Sequence, residues 1–495
     1  VSTILSIDQS TSATKAVLFD FEGRVLDRAS REHRQIYPRP GWVEHDAEEI
    51  WQNVLAVIRE VTGRNANKLA GLAGLACLSL TNQRETFLVF DRVTGRPLHN
   101  AIVWQCRRGD AICQKLRVQG HDELVRSKTG LKIDTYFSAS KLAWLIAERP
   151  ELAAKLKSGE AVAGTIDAYL VHRLTRGNVF ATDYTNASRT LLFDIGQLRW
   201  DEQLCELFNV PIRALPEVRE SSARFGETDA EGILPRQVPI CGVMGDSQAS
   251  LFSQRCYRAG MAKATFGTGT SVLLNVGDKV PDPQHGAVSA LAWVHRSQPT
   301  YALEGLINSS AATITWLKDQ LGLIQNAAEI ESLAASVPDN GGVYFVPAFA
   351  GLGAPYWSPN ARAAIMGLTA FTRREHVLRA AEESIAYQIR DVLEMLRADS
   401  GVTFTILRAD GGPTRDAFLM QFTADLCGLE LDVSGVPESS AWGAAMSALL
   451  GLGVCGSLDK LAALPTTTRT YLPQMAAANV QPLYDGWRAA VKRVL

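Results

Sequence analysis

The chain has 495 residues, 46% of them hydrophobic and 21% charged, an ordinary globular composition with room for more than one domain and large cores. Lys and Arg number 50 against 52 Asp and Glu, a formal charge of −2, so no basic field points toward nucleic acid or an anionic membrane. The 8 cysteines are scattered without a Cys-x-x-Cys and read as packed thiols of a reduced cytoplasmic protein.

Near the N-terminus, Ile4-Leu-Ser-Ile7 is a short apolar run that ends on Asp8 and opens into Ser10, Thr11, Ser12 and Thr14. It predicts a buried strand emptying into a hydroxyl-rich turn. Such a turn binds anions through its hydroxyls and uncrowded N–H groups, although the same pattern also serves for capping alone. Asp8 stands where a phosphate-bound Mg²⁺ would take an oxygen ligand. No Gly-x-x-x-x-Gly-Lys-Ser/Thr is present, so this is not a Walker A loop. The segment also lacks the basic stretch and apolar core of a signal peptide.

Ala16–Phe19 and 74–80 read as strands and Asp46–Val61 as a helix, with Asp46 at the N-cap and Glu49 completing a capping box. This alternation predicts an α/β fold. Thr81-Asn-Gln-Arg-Glu-Thr86 follows a strand, which puts Arg84 and Glu85 at its carboxyl end, where α/β proteins hold ligands. An Arg donor beside a Glu acceptor suits vicinal hydroxyls, and a plain surface ion pair is the alternative. Trp104 offers an apolar face to the C–H side of a polyol, or packs in a core; Tyr136 offers a hydroxyl. Gly242-Val-Met-Gly-Asp246 is a second apolar run ending in an acid, and Asp246 suits the proton acceptor of a phosphoryl transfer unless it is only a turn residue.

A domain break is expected near 250, dividing the chain into 1–250 and 251–495. Beyond it, Met261–Phe266, Gly267-Thr-Gly-Thr-Ser271 and Val272–Asn275 predict a hairpin around a second phosphate-like turn, or a hairpin with no ligand. Leu378, Ala381, Ile385, Ile389, Val392 and Leu396 recur at helical spacing, marking a long scaffold helix against which Tyr387 and Met395 pack. Thr405–Asp410 leads through Gly411-Gly-Pro-Thr-Arg415 into a helix over Asp416–Leu426. The apolar stretch Ala444–Val454 is too short to span a bilayer. Acid-ended or Thr-rich turns in both halves imply two related domains facing one nucleotide.

Several blocks carry a more specific signal. Gly41-Trp-Val-Glu-His-Asp46, Thr81–Thr86, Ala101-Ile-Val-Trp-Gln-Cys-Arg-Arg108, Thr182–Thr190 and Pro347–Trp357 resemble the FGGY carbohydrate kinases and, among them, the glycerol kinases. Tyr136–Trp144 fits the first family signature; Ala363–Glu383 fits the second except at Glu382, where an apolar residue is usual. The resemblance implies two actin-like, ribonuclease-H-like ATPase domains with a cleft between them. It implies ATP and Mg²⁺ as cofactors, a small polyol or sugar as partner, no nucleic acid, no membrane insertion, and a homodimer or homotetramer as candidate assemblies. By resemblance Thr11, Ser12, Ala13 and Lys15 line the first phosphate loop, and Thr268, Ala311, Thr315, Gly412 and Asp416 complete the nucleotide site. Asp8 and Asp246 adjoin the metal. Arg84, Glu85, Trp104, Tyr136, Asp246, Ser247 and Ser271 fall at acceptor positions, with Asp246 as the catalytic base.

The chain departs from that pattern at named positions. Ser247 stands for Gln and Ser271 for Phe on the acceptor side; Ala311, Thr315 and Asp416 stand for Gly, Gln and Asn on the nucleotide side. Two shortened acceptor side chains imply a roomier, more polar pocket. The expected function is ATP-dependent phosphorylation of a primary hydroxyl of glycerol or a four- to five-carbon relative. A ketopentose or other sugar kinase is an alternative, as is a non-catalytic ATP-binding sensor on the same fold.

Overall fold

A computed structural model describes residues 2–69 and 74–495. Two mixed sheets organise it. The first places its strands in the order Arg224–Thr228, Val238–Gly245, Leu75–Asn82, Thr3–Gln9, Ala13–Asp20, Val25–Glu32. The second runs Val288–His295, Gln298–Ile307, Thr270–Gly277, Met261–Phe266, Ile406–Asp410, Leu431–Ser434, Thr468–Tyr471. Each contains the same five-strand unit: three antiparallel strands, then two parallel ones added beside the first. Parallel neighbours need long crossovers, and helices supply them at Ala47–Arg64 and Ala417–Cys427. This repeated topology is the two-domain α/β architecture implied by the sequence.

The helix Ala47–Arg64 covers one face of the first sheet, burying Ile50, Trp51, Val54, Ile58 and Val61 against Leu5, Ile7 and Leu18. Asp46 caps it by accepting from the N–H groups of Glu48 and Glu49 at 2.9 and 3.3 Å. The reciprocal half of the expected capping box is not formed: the Glu49 carboxylate turns to Arg34, accepting from its backbone N–H at 3.3 Å and its Nε at 3.1 Å. The long helix Arg374–Ser400 buries all six of its periodic apolar residues, and Tyr387 and Met395, against the second sheet.

Between the sheets lie two further helices, Asp246–Ser253 and Ser439–Gly451. Their Leu251, Phe252, Trp442 and Met446 share one core with Ile4, Val17 and Phe19 of the first sheet and Leu273, Trp293 and Ala302 of the second. The chain leaves the first sheet at Gly245 and enters the second at Met261, and the Ser439–Gly451 helix returns to pack beside the first. A smaller four-stranded sheet with the helices Ser138–Glu148 and Pro150–Ser158 stands beside the first and carries Trp104 and Tyr136 on its loops. Among the described residues no helix is long and apolar enough to cross a membrane.

Candidate active site

The strand Leu75–Asn82 delivers Arg84 and Glu85 at its carboxyl end, and both are buried, at 4% and 1% exposure, which excludes a surface ion pair. Glu85 has φ +62°, a left-handed backbone that a non-glycine residue adopts at a cost of about 1–3 kcal/mol. Arg84 lies across Gly245, where a Cβ would come within 2.7 Å of its Cγ. From there Arg84 donates to Glu304 Oε1 at 2.7 Å and to Gln248 Oε1 at 3.1 Å, with its Nε 3.4 Å from Asp246 Oδ1. Arg189 closes the array, its Nε 2.7 Å from Glu85 and its Nη2 2.7 Å from Glu304 Oε2. Two arginines and two glutamates thus alternate out of reach of water, each with an opposite charge on either side.

That pairing decides the protonation states. Burial alone would raise the Glu304 carboxyl, but Arg189, Arg84 and the hydrogen bonds from Arg84 and Ser271 hold it down to about 2. Burial also opposes the charge on Arg84, and Glu304 and Glu85 overcome it. Glu85 is pushed up by burial, with Arg84 and Arg189 opposing. Asp246 begins the helix between the sheets, and its side chain is 37% exposed where those of Glu85 and Glu304 are closed. Burial of its protein side raises its pKa and Arg84 pulls against the rise.

Trp104 links this array to the first hydroxyl-rich turn: its Nε1 donates to Thr11 Oγ1 at 3.0 Å and its ring lies 5.3 Å from that of Tyr136. Ser247 donates its backbone N–H to Asp246 Oδ1 at 2.6 Å. Ser271 donates its hydroxyl to Glu304 Oε1 at 2.9 Å. Glu304, Arg189 and Gln248 were not among the expected site residues. A signal existed for Glu304, the lone charge in the apolar run Tyr301-Ala-Leu-Glu-Gly305; Arg189 lay inside a recognised block without a role.

The remaining expected residues lie on the hairpin at residues 9–15 of the first sheet and, in the second half of the chain, on the turns at 267–271 and 411–416 and the helix Ala311–Asp319. Thr11 and Ser12 cap the hairpin between Thr3–Gln9 and Ala13–Asp20, with Ala13 buried at its exit. Lys15 pairs in register with Asp8 and reaches Glu438 at 2.9 Å. In the second half Thr268 is exposed on its turn, whose carbonyls accept from Ser310, Ala311 and Ala312 at the start of the helix Ala311–Asp319. Thr315 is exposed one turn further on. Gly411 has φ +101° with the Phe266 carbonyl directly against its Cα, so a side chain is excluded there, and Gly412 stays open beside it. Asp416 N-caps Ala417–Cys427, accepting from Leu419 at 2.9 Å. Glu382 is 1% exposed behind this turn, where burial and a hydrogen bond with the Asp416 carboxyl raise its pKa, and Asp416 and Glu331 add negative charge beside it.

Burial pushes Asp8 to about 7; Lys15 opposes the rise, and Asp246 and Glu438 add to it. A buried carboxyl facing further negative charge suits a divalent cation that arrives with a phosphate. Among the described residues no cluster of three or more His, Cys, Asp or Glu is arranged to hold a metal by itself. That combination fits Mg²⁺, which takes one or two carboxylates and completes its shell with phosphate and water.

Comparison with known proteins covers most of the chain. Residues 3–253 match the N-terminal domain of the FGGY family of carbohydrate kinases, and residues 262–452 its C-terminal domain. The chain is 46% identical over 492 residues to glycerol kinase 1 of Thermotoga maritima, covering 99% of both chains. It superposes on Plasmodium falciparum glycerol kinase with ADP at a TM-score of 0.93 and 36% identity, covering 100% of this chain and 98% of that one. Xylulose kinase of Lactobacillus acidophilus, at 21% identity and a TM-score of 0.88, shares the fold.

Proposed function

The chain belongs to the FGGY family of carbohydrate kinases and is an ATP-dependent kinase, and on that premise we propose that it phosphorylates glycerol at a primary hydroxyl. The observation that carries this reading is the half-open Asp246 carboxylate beside Arg84, with the paired array of Arg84, Glu85, Arg189 and Glu304 behind it. Arg84 and Glu85 would donate to and accept from vicinal hydroxyls, while Trp104 and Tyr136 close over the carbon chain. Asp246 takes the proton from the attacking hydroxyl as the oxygen displaces ADP from the γ-phosphorus in line. Burial raises its pKa from the ordinary carboxylate value, the direction that strengthens a proton acceptor.

On the donor side Thr11, Ser12, Ala13, Lys15 and Thr268 would hold the phosphates, and Ala311, Thr315, Gly412 and Asp416 the nucleoside. Asp8 and Asp246 would hold Mg²⁺, which would neutralise charge on the phosphate oxygens. Closure of the cleft excludes water and limits ATP hydrolysis. The reading takes the enzyme as cytoplasmic.

A second reading is favoured by Ser247 and Ser271. Both are short and hydroxylic at the acceptor pocket, which would suit a four- or five-carbon polyol in place of glycerol. A coupled ADP-release assay over glycerol, erythritol, threitol, xylitol, ribitol and ketopentoses tests both. Turnover of glycerol at physiological concentrations supports the first reading; inert glycerol beside an active longer polyol replaces it with the second. ATP binding without ADP release on any acceptor would leave the sensor alternative.

A further inference from the structure

Lys141 is a buried ammonium to which the transfer step assigns no task. It is 0% exposed, and its Nζ donates to three successive carbonyls: Thr135 at 2.5 Å, Tyr136 at 2.9 Å and Phe137 at 3.0 Å. It lies in the fourth position of the helix Ser138–Glu148, so its charge folds back over that helix's N-terminus. A cation there opposes the helix dipole, and burial opposes the charge a second time. Local stability therefore argues against lysine at this position. Places where local preference is overridden are where a functional demand is to be sought.

The segment that Lys141 grips is the wall of the acceptor pocket. Tyr136 packs on Trp104, and Phe137 lies under the Arg189 guanidinium at 5.1 Å. Ser138 Oγ donates to the Glu85 carbonyl at 2.8 Å, and Ala139 N–H to Thr190 O at 2.9 Å. These contacts join the segment to Trp104, Arg189, Glu85 and Thr190. Asp134 holds the N–H side of the two peptides around Tyr136, its Oδ1 accepting from Tyr136 at 2.8 Å and its carbonyl from Phe137 at 3.4 Å, which leaves the carbonyl side to be held. Lys141 holds that side, because its three N–H groups meet three consecutive oxygens.

We propose that Lys141 is a positioning residue for the acceptor, setting the Tyr136 side chain in the glycerol pocket by pinning the backbone of residues 135–137. The inference rests on the glycerol kinase reading. It also carries a pH dependence, since a neutral amine has two N–H groups for three carbonyls. Burial lowers the Lys141 pKa to about 8, with the negative charges of Glu85 and Asp134 opposing. The Cys113 thiol, pushed up to about 11 by burial, and the Tyr136 phenol, pushed higher still, titrate above it.

The test is a kinetic double-mutant cycle of Lys141→Gln and Tyr136→Phe with glycerol and ATP, joined to a pH series on the unaltered enzyme. Lys141→Gln is expected to raise KM for glycerol about tenfold, with KM for ATP within twofold of its starting value. In the Tyr136→Phe background the same change should raise it less than threefold, because the group being positioned is gone. In the unaltered enzyme KM for glycerol should climb as pH passes about 8 while KM for ATP stays level. An additive cycle, or glycerol and ATP KM values rising together, overturns the proposal. A level glycerol KM up to pH 9.5 also overturns it and needs no variant, should Lys141→Gln fail to fold. If Tyr136→Phe alone leaves glycerol KM unchanged, the acceptor-site reading fails instead.

Discussion

The two sides of the cleft bury carboxylates in opposite ways. On the acceptor side Glu85 and Glu304 each touch arginine, and Arg84 and Arg189 each touch both glutamates. On the nucleotide side Glu382 is equally buried, yet its side-chain hydrogen-bond partner is another carboxyl, Asp416, and its charged neighbours Asp416, Glu331 and Glu383 share its sign. Paired buried charges fix geometry, since each group has one arrangement that satisfies it. A buried acid facing only other acids keeps its proton and lowers stability wherever the pH would remove it. The acceptor side should therefore lose both fold stability and activity when a charge is neutralised, while the nucleotide side should gain stability.

The largest effect is expected at Glu304, the residue both arginines share. Glu304→Gln leaves two buried guanidinium groups without their common partner, a loss of about 3–5 kcal/mol of stability, with kcat/KM for glycerol down by about a hundredfold or more. Urea melts and steady-state kinetics measure both. A variant of near-normal stability and activity would show that the alternating array is ornament.

Next comes Glu382→Leu, expected to stabilise by about 1–3 kcal/mol at pH 8. The sign follows from burial, which raises the folded-state pKa of Glu382. Its favourable share of stability is present when the unfolded chain is also protonated, and is lost progressively as pH climbs above the ordinary glutamate range. The melting-temperature gain should thus be larger at pH 8 than at pH 5.5. An equal gain at both, or a loss, contradicts the account of a buried acid without a counter-charge.

The smallest effect is at Ser271. Ser271→Phe removes one hydrogen bond to Glu304 and refills the acceptor wall. Preference for glycerol over tetritols and pentitols should rise by about tenfold or less, read from kcat/KM ratios. An unchanged ranking would separate the pocket's selectivity from this residue.

Much of this contrast was legible in the chain, and the exceptions have a common cause. Strand-ending acids and hydroxyl turns announced Asp8, Asp246 and the loops at 267 and 411, because local backbone chemistry dictates those residues. The helix at 374–400 was equally plain, its apolar face being a matter of spacing. Glu304, Arg189 and Lys141 were not seen for what they do. Their partners lie 220, 104 and up to 6 residues away, and only the third separation is local. Even there, the sequence shows a lysine near a helix start and not the three carbonyls that hold it. The return of Ser439–Gly451 to the first sheet was hidden for the same reason: its neutral, nearly uniformly apolar surface indicates burial without saying against what.

Whether the cleft transfers phosphate from ATP to glycerol through Asp246 is tested most directly by one measurement. Single-turnover formation of glycerol 3-phosphate from γ-labelled ATP should be followed in the unaltered enzyme and in Asp246→Asn, at glycerol concentrations that saturate binding in both. The account predicts rapid label transfer in the first and a rate lower by about 10³-fold or more in the second, with glycerol still bound. Comparable transfer rates in the two would contradict it.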